Sequence, residues 1–528
     1  MPQTVIDNEM NHGTEWVPNW LQRQALTRPH ASALVHVDGT LTYEELFALA
    51  RRFAKRIAEA GVTHGDRVGV LARHGLIYAV AVHAVMQAGG ILVPLNTRLT
   101  AGEIRWQLNN VGAKLVICDP AHEELAASAI AELENGSSDV SADGRQRQGS
   151  LLWTVELSDI RSTLTARDID ALMTLSEVKS FRLADVHAIV HTSGTTGNPK
   201  GVQITYQNHY WSATSSALQL GLDGNERWLV PMPLFHVGGL AVLMRSLIYG
   251  TTAVLYDNFD AQTVNDALSD DDITLVSVVP TMLYRMLADE RRRPPSQRLR
   301  CILLGGSGAS EWLLRRCQEE GLPVAQSYGL SEANSQVATL RPDDALRKIG
   351  SSGQPLFASD VRIVDDSGDV PVGVRGEIWV HSLTVTPGYW NRPDANAETF
   401  VDGWLRTGDI GYLDEEGYLY VLDRRKDLIV SGGENVYPVE VERAIELHEA
   451  VLEAGVIPVP DDEWGQVPGA YVVIQPGYDT SFQQLEAFCR TKIAGYKVPK
   501  RWWFVTSLPR NASGKLLRRQ LVQWLNES

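Results

Sequence analysis

Residues 67–95 read RVGVLARHGLIYAVAVHAVMQAGGILVPL, and three patterns follow one another in that stretch. RVGVLA is a short, Val-rich apolar run with the character of a strand. LIYAVAVHAVMQAG is long enough for a helix, and ILVPL is strand-like again. The stretch from Leu76 to Leu95 is the longest apolar one in the chain, but His83, Gln87, Gly89, Gly90 and Pro94 interrupt it. It therefore reads as a buried helix followed by a strand, not as a membrane span. Strand, helix and strand form a βαβ unit, which predicts a parallel sheet.

The same grammar extends in both directions. Upstream, Thr42 and Glu45 have capping-box spacing ahead of the periodic run FALARRFAKRIAEAG. Downstream, Thr100 and Glu103 open another helix before the strand KLVICD. Residues 135–150, NGSSDVSADGRQRQGS, are polar and low in complexity, as expected of a surface loop. From Val186 strands and helices alternate again: AIVHTS, HYWSATSSALQL, WLVPMP, LAVLMRSLIYG, TAVLY, a helix near Val264, TLVSVVP, RCILLGG and a helix from Glu311. Alternation of this kind predicts an α/β fold with helix-covered, mostly parallel sheets. Between Gly350 and Asp409 short strands such as VRIV and GEIWV alternate with Gly and Pro, suggesting a small β subdomain at about 350–410. A hairpin-like YLYVLDRRKDLIV follows, and then a compact α+β segment. The expected division is a large N-terminal domain at 1–425 and a smaller, mobile α+β C-terminal domain at 426–528, with the hinge near Lys426.

Composition agrees with a multi-domain globular chain. The 528 residues are 44% apolar and 21% charged, which excludes fibrous, disordered and disulfide-scaffold classes. With 48 Lys and Arg against 64 Asp and Glu the net charge is −16, so no general footprint for nucleic acid or anionic lipid is present and anionic ligands need local positive sites. The basic run Arg291 to Arg293 reads as a solvated helix end. Cys118, Cys301, Cys317 and Cys489 are scattered without metal or disulfide spacing, which fits a reducing cytoplasm. The N-terminal MPQTVIDNEMNHGTEW is polar and acidic, unlike an export signal.

Chemistry first enters at residues 192–201, TSGTTGNPKG. Glycines and hydroxyl residues directly after a strand can leave backbone N–H groups free to surround phosphate oxygens, and Lys200 adds positive charge. The Gly-Lys-Ser/Thr ending of a Walker A loop is absent. Further motifs follow in order: QSYGLSE at 326–332, WLRTGD at 404–409, DRRKD at 423–427 with SGGENVYP after it, and PRNASGK at 509–515. In this order the chain, from about Trp20 to Leu525, resembles the adenylate-forming family of acyl-CoA synthetases, peptide-synthetase adenylation domains and luciferases.

That resemblance implies a two-step reaction using ATP, Mg2+ and coenzyme A. A carboxylate first forms a mixed anhydride with AMP and expels pyrophosphate, and a thiol then displaces AMP. The phosphate cradle would be Thr192, Ser193, Gly194, Thr195, Thr196 and Gly197 with Lys200. Tyr328 would stack on adenine beside Gly329, Ser331 would contact phosphate, and Glu332 would hold Mg2+ through hard carboxylate oxygen. Ser331 stands where the family usually has Thr, and the hydroxyl is kept. Asp409 and Arg424 would bind the ribose, although Asp423 replaces the usual Gly before that Arg. Lys515 would bridge the attacking carboxylate and the α-phosphate as charge develops. Rotation about Lys426 would carry Gly432 and Gly433 to the thiol passage, where glycine leaves room; a helix-capping turn is the lesser reading of these glycines and is compatible with the first.

The segments NHYWSATSSALQLGL, RWLVPMPLFHVGGL, CILLGGSGAS and SEANSQ resemble the members of this family that activate 2-succinylbenzoate, an aromatic keto-diacid of menaquinone biosynthesis. Its pocket would need an apolar slot for the ring and polar groups for the second carboxylate and ketone. His236, Gly305, Gly306, Ser307, Leu330 and Ser335 are the expected substrate contacts, with Arg245 a second candidate anchor. Aryl or medium-chain acids remain the alternative substrates, and a catalytically silent or carrier-loading module the alternative class. No nucleic-acid partner and no membrane span are expected, and the sequence leaves a homo-oligomer open.

Overall fold

The computed structural model describes residues 16–135, 151–161, 180–192, 199–306, 309, 311–365, 367–423, 428–509, 516 and 518–527. The polar stretch at 136–150 and the N-terminal 15 residues lie outside the described residues.

Arg67–Leu71, helix Leu76–Ala88 and Ile91–Pro94 form the expected βαβ unit, with Arg67 opposite Ile91 in parallel register. The helix carries no polar stripe because nearly all of it is buried, from Leu76 through Tyr78 to Gln87. It ends where Gly89 takes a left-handed φ of 73°, returning its N–H to the last turn. Both Thr-x-x-Glu pairs make complete capping boxes, on helices Tyr43–Glu59 and Ala101–Val111.

This unit belongs to a six-stranded sheet ordered Lys200–Thr205, Val186–Thr192, Ile91–Pro94, Arg67–Leu71, Leu115–Cys118, Leu151–Thr154, parallel except for its first pair. A nine-stranded sheet has a parallel centre built from Val324–Leu330, Cys301–Leu304, Leu275–Val278, Arg227–Val230, Thr252–Leu255 and Ser32–His36, with antiparallel strands at its edges. One apolar cluster joins the sheets: Val68 and Leu92 of the first and Leu34 and Trp228 of the second pack with the helices containing Phe47, Val82 and Leu243. Strands such as Ile302–Leu304 are buried along their length, as parallel strands covered on both faces must be.

An antiparallel sheet follows, running from Ser359–Asp365 to Leu419–Asp423. The expected hairpin at 418–430 is not formed. Leu419–Asp423 pairs with Trp404–Leu413 in this sheet, whereas Ile429–Ser431 pairs with Glu434–Val436 and with Gly465–Ile474 in another. Both segments have strand character, but periodicity does not choose a partner, and the chain changes lobes between them. The second of these sheets, with helices Pro438–Glu446, Phe482–Arg490 and Arg518–Glu527, is the small lobe, and everything before it is the large lobe. The hinge candidate Lys426 lies outside the described residues.

All four cysteines are buried and free. Among the described residues no helix is long and apolar enough to cross a membrane. The basic run is ion-paired locally, Arg293 with Asp266 and Asp270, and Arg292 with Glu320.

Candidate active site

Several strands of the large lobe and one small-lobe turn meet around a cavity of about 260 Å³. Thr192 and Lys200 are register partners at the end of an antiparallel pair, so the two ends of the Gly/Thr-rich loop stand side by side. Thr192 lines the cavity. Lys200 Nζ lies 4.6 Å from the centre of the Tyr389 ring. The loop residues Ser193, Gly194, Thr195, Thr196 and Gly197 lie outside the described residues, as do Ser307, Arg424 and Lys515.

Strand Val324–Leu330 delivers Gly329 and Leu330, and the 3-10 turn Ser331–Ala333 delivers Ser331 and Glu332; all four line the cavity. Gly329 is required there because a Cβ would sit 1.7 Å from the Ser335 carbonyl oxygen. The turn that follows is strained, with Asn334 at φ 48° and Ser335 at φ 97°, and Ser335 lines the cavity. Glu332, 5% exposed, accepts a hydrogen bond at Oε1 from the Tyr389 hydroxyl at 2.8 Å. Among the described residues no group of three or more His, Cys, Asp or Glu is assembled to hold a metal. A single carboxylate in a cavity suits Mg2+, which keeps waters and takes phosphate oxygens rather than an all-protein cage.

Tyr328 is buried against the small β sheet, and its hydroxyl donates to Asp409 Oδ2 at 2.6 Å. Asp409 lines the cavity from strand Trp404–Leu413, its backbone N–H bonded to Thr407 Oγ1 at 3.1 Å. Two residues singled out 81 positions apart are thus one hydrogen-bonded pair.

The apolar lining is formed by Met232, Val237, Val278, Val279, Met282 and Leu303, and Gly305 and Gly306 line the cavity as well. Arg245 also lines the cavity and is only 2% exposed. Its Nη2 donates to Ser212 Oγ at 3.0 Å, its guanidinium lies 5.8 Å from the Trp228 ring centre, and its Nε finds no partner among the described residues. Ser212 Oγ in turn donates to the Asn334 carbonyl at 3.0 Å, linking the guanidinium to the strained turn. Burial pushes the Arg245 pKa down to about 10, with Tyr249 opposing, and among the described residues no carboxylate pairs with it.

The small lobe closes the cavity. Gly432 and Gly433, at φ 57° and 87°, are the two central residues of a tight hairpin turn between Ser431 and Glu434, not a helix cap. A Cβ on Gly433 would meet Val279 at 3.2 Å, so this turn rests on the large lobe. His236 Nε2 is 3.0 Å from Glu434 Oε2, and Arg98 Nη1 is 3.0 Å from Glu434 Oε1. Burial would raise the Glu434 carboxyl, but the charges of His236, Arg98 and Lys497 outweigh it and hold the group below its ordinary range. Sequence reasoning missed Glu434, Arg98 and Tyr389. Only Glu434 had a usable signal, its place directly after the two glycines.

Residues 21–390 match the AMP-binding enzyme family, and residues 440–515 match the AMP-binding enzyme C-terminal domain. The chain is an AMP-binding enzyme. Among the relatives of this AMP-binding enzyme are the 2-succinylbenzoate-CoA ligases of Geobacillus kaustophilus, 45% identical over 96% of this chain and 97% of that protein, and of Geobacillus sp. (strain WCH70), 43% identical with the same coverage. Its fold is similar to that of o-succinylbenzoate CoA synthetase from Bacillus subtilis. A double mutant of that protein bound with the product analogue OSB-NCoA superposes with a TM-score of 0.85, at 40% identity and covering 96% of this chain and 98% of that one. The same protein in complex with the acyl-adenylate intermediate OSB-AMP gives 0.68 at the same identity and coverage. At the same identity and coverage, this chain superposes more closely on the product-analogue complex than on the acyl-adenylate complex.

Proposed function

We propose that this AMP-binding enzyme is an ATP-dependent acid-thiol ligase that converts 2-succinylbenzoate to 2-succinylbenzoyl-CoA through an acyl-adenylate. The observation that carries this reading is a buried guanidinium, with no carboxylate partner among the described residues, in the wall of a cavity that Glu332 and Asp409 also line. A monoacid would leave that charge as uncompensated as it is in the free protein and would forgo the attraction that a second carboxylate supplies. An aromatic diacid supplies the missing anion while its ring fills the slot formed by Val237, Val279 and Leu303. The relatives named for that substrate point the same way.

In the first step one substrate carboxylate attacks the α-phosphate of ATP and pyrophosphate leaves. Asp409, oriented by the Tyr328 hydroxyl, accepts from the ribose, and Lys200, Ser331 and Thr192 face the phosphates. Mg2+ held by Glu332 would neutralise charge on the phosphate oxygens. Lys515 stabilises the charge developing between carboxylate and phosphate. In the second step the thiol of coenzyme A, arriving past Gly432 and Gly433, attacks the acyl carbon and AMP departs. His236 sits at this entrance with its orientation fixed by Glu434. The buried, unpaired thiols are in keeping with a reducing cytoplasm.

The test is AMP release with ATP, Mg2+, coenzyme A and a panel of acids. Turnover of 2-succinylbenzoate with little of benzoate or octanoate is expected; the reverse would transfer the assignment to an aryl or medium-chain enzyme. Absence of pyrophosphate exchange would identify a silent adenylate-binding protein.

A further inference from the structure

The segment Ala494–Lys497 of the small lobe is seated in the large one. Ala494 is buried in the apolar cluster of Val93, Ile104 and Ile189, and Tyr496 packs against the same cluster. Lys497, 3% exposed, places Nζ 2.8 Å from Glu103 Oε1 and 2.6 Å from Glu440 Oε1. Its two partners differ in kind. Glu440 is on helix Pro438–Glu446 of the same lobe and travels with the lysine. Glu103 is in the first turn of helix Ala101–Val111 of the large lobe. The two oxygens of Glu103 divide their work: Oε2 accepts from Thr100 N–H at 2.9 Å and from Thr100 Oγ1 at 3.0 Å, which fixes the side chain, and Oε1 is presented across the lobe boundary.

Burial lowers the Lys497 pKa, but the charges of Glu440, Tyr496 and Glu103 outweigh it and hold the ammonium above the ordinary lysine range. Burial also raises Glu440, with the like charge of Glu103 adding to it against the attraction of Lys497. With both carboxylates ionised the trio carries a net charge of −1 and the Lys497–Glu440 pair of the small lobe is neutral by itself, so what parting the lobes would lose is the contact with Glu103. A swivel that withdraws Gly432 and Gly433 from the cavity must separate Glu103 from Lys497, exposing both to water and unseating Ala494.

We propose that Glu103 and Lys497 are positioning residues for thioester formation: their ion pair across the lobe boundary holds the small lobe where its glycine turn lines the cavity. This rests on the two-step ligase reading above. Neither residue touches the reacting atoms, so the effect is confined to the step that uses this arrangement. The chain as a whole superposes more closely on the product-analogue complex of the Bacillus subtilis protein than on its acyl-adenylate complex.

Glu103→Gln is the clean perturbation, since Gln serves equally at the third position of a capping box while removing the charge. Thioester formation from preformed acyl-adenylate and coenzyme A should slow about tenfold, a common size for a coupling between two states. Pyrophosphate exchange should stay at the wild-type rate or rise. Small-angle scattering of the variant should show a larger radius of gyration than wild type. Lys497→Met should reproduce the split. Glu463→Gln, which removes the exposed cross-lobe pair with Arg285, should change neither rate. Equal losses in both half-reactions, an unchanged thioester rate, or the same effect from Glu463→Gln would each overturn the proposal. Absence of pyrophosphate exchange in the wild type would instead overturn the ligase reading.

Discussion

Arg245→Met should impair catalysis without lowering stability. In the free protein the guanidinium is buried, bonded to Ser212 and facing no carboxylate among the described residues. Burial lowers its pKa from 12.5 to about 10. A lowered pKa on a base means that the charged form opposes folding, and below pH 10 the group is charged. At about 1.4 kcal/mol per unit the penalty is roughly 3 kcal/mol. Met loses the Ser212 bond, worth about 1.5–3 kcal/mol because its donor is charged, and keeps most of the volume. The variant should therefore be at least as stable as wild type, gaining up to about 2 kcal/mol, a rise of up to roughly 4 °C in apparent Tm. With 2-succinylbenzoate the second carboxylate would be buried unpaired, at about 3–5 kcal/mol, and kcat/KM should fall by about two to three orders of magnitude. Benzoate lacks that carboxylate and should lose little. Kinetics with both acids and a thermal melt without ligand decide the matter. Equal losses for the two acids would refute the anchor, and a lower Tm would refute the claim of an unbalanced charge.

Other perturbations test the remaining parts of the site. Asp409→Ala should raise the KM for ATP by more than about tenfold, and Tyr328→Phe by less, since it removes one hydrogen bond of the order of 1 kcal/mol; an unchanged KM in Asp409→Ala would reject the ribose assignment. Lys515→Ala should abolish pyrophosphate exchange yet spare thioester formation from supplied acyl-adenylate, and loss of both would contradict its role. Glu434 has a lowered pKa, so its contribution to stability is complete above pH 4.5 and is lost as pH falls further, through the lowered value. The Tm advantage of wild type over Glu434→Gln should accordingly persist at neutral pH and vanish in acid; a constant difference would show that charge is not involved. Gly329→Ala must push the Ser335 carbonyl away, because the new Cβ would lie 1.7 Å from it, and should yield insoluble or inactive protein.

The fold was legible where one element carried its own instructions. Thr42 with Glu45, and Thr100 with Glu103, announce helix starts that depend only on neighbours three residues away. The Val-rich strands declare themselves because parallel strands are buried on both faces. Pairing was not legible. Leu419–Asp423 and Ile429–Ser431 have equal strand character, and nothing local says that they belong to different sheets. In the site, Asp409 and Glu332 could be found by motif, but the hydroxyls that orient them could not. Tyr389 is 57 positions from Glu332, and its part is set by the chain path that bonds Trp390 N–H to the Gly201 carbonyl. Arg245 sat in the apolar run LAVLMRSLIYG, where a charge on a buried helix was the one local anomaly, and its meaning needed the cavity.

The four cysteines have a practical corollary. Burial raises the thiols of Cys301, Cys317 and Cys489 to about 12 and that of Cys118 above its usual value, so at neutral pH all are protonated, shielded and poor nucleophiles. A single cysteine introduced on each lobe would therefore be the preferred target of a maleimide dye. Fluorescence energy transfer could then test whether one lobe moves against the other during turnover, with the native cysteines left in place.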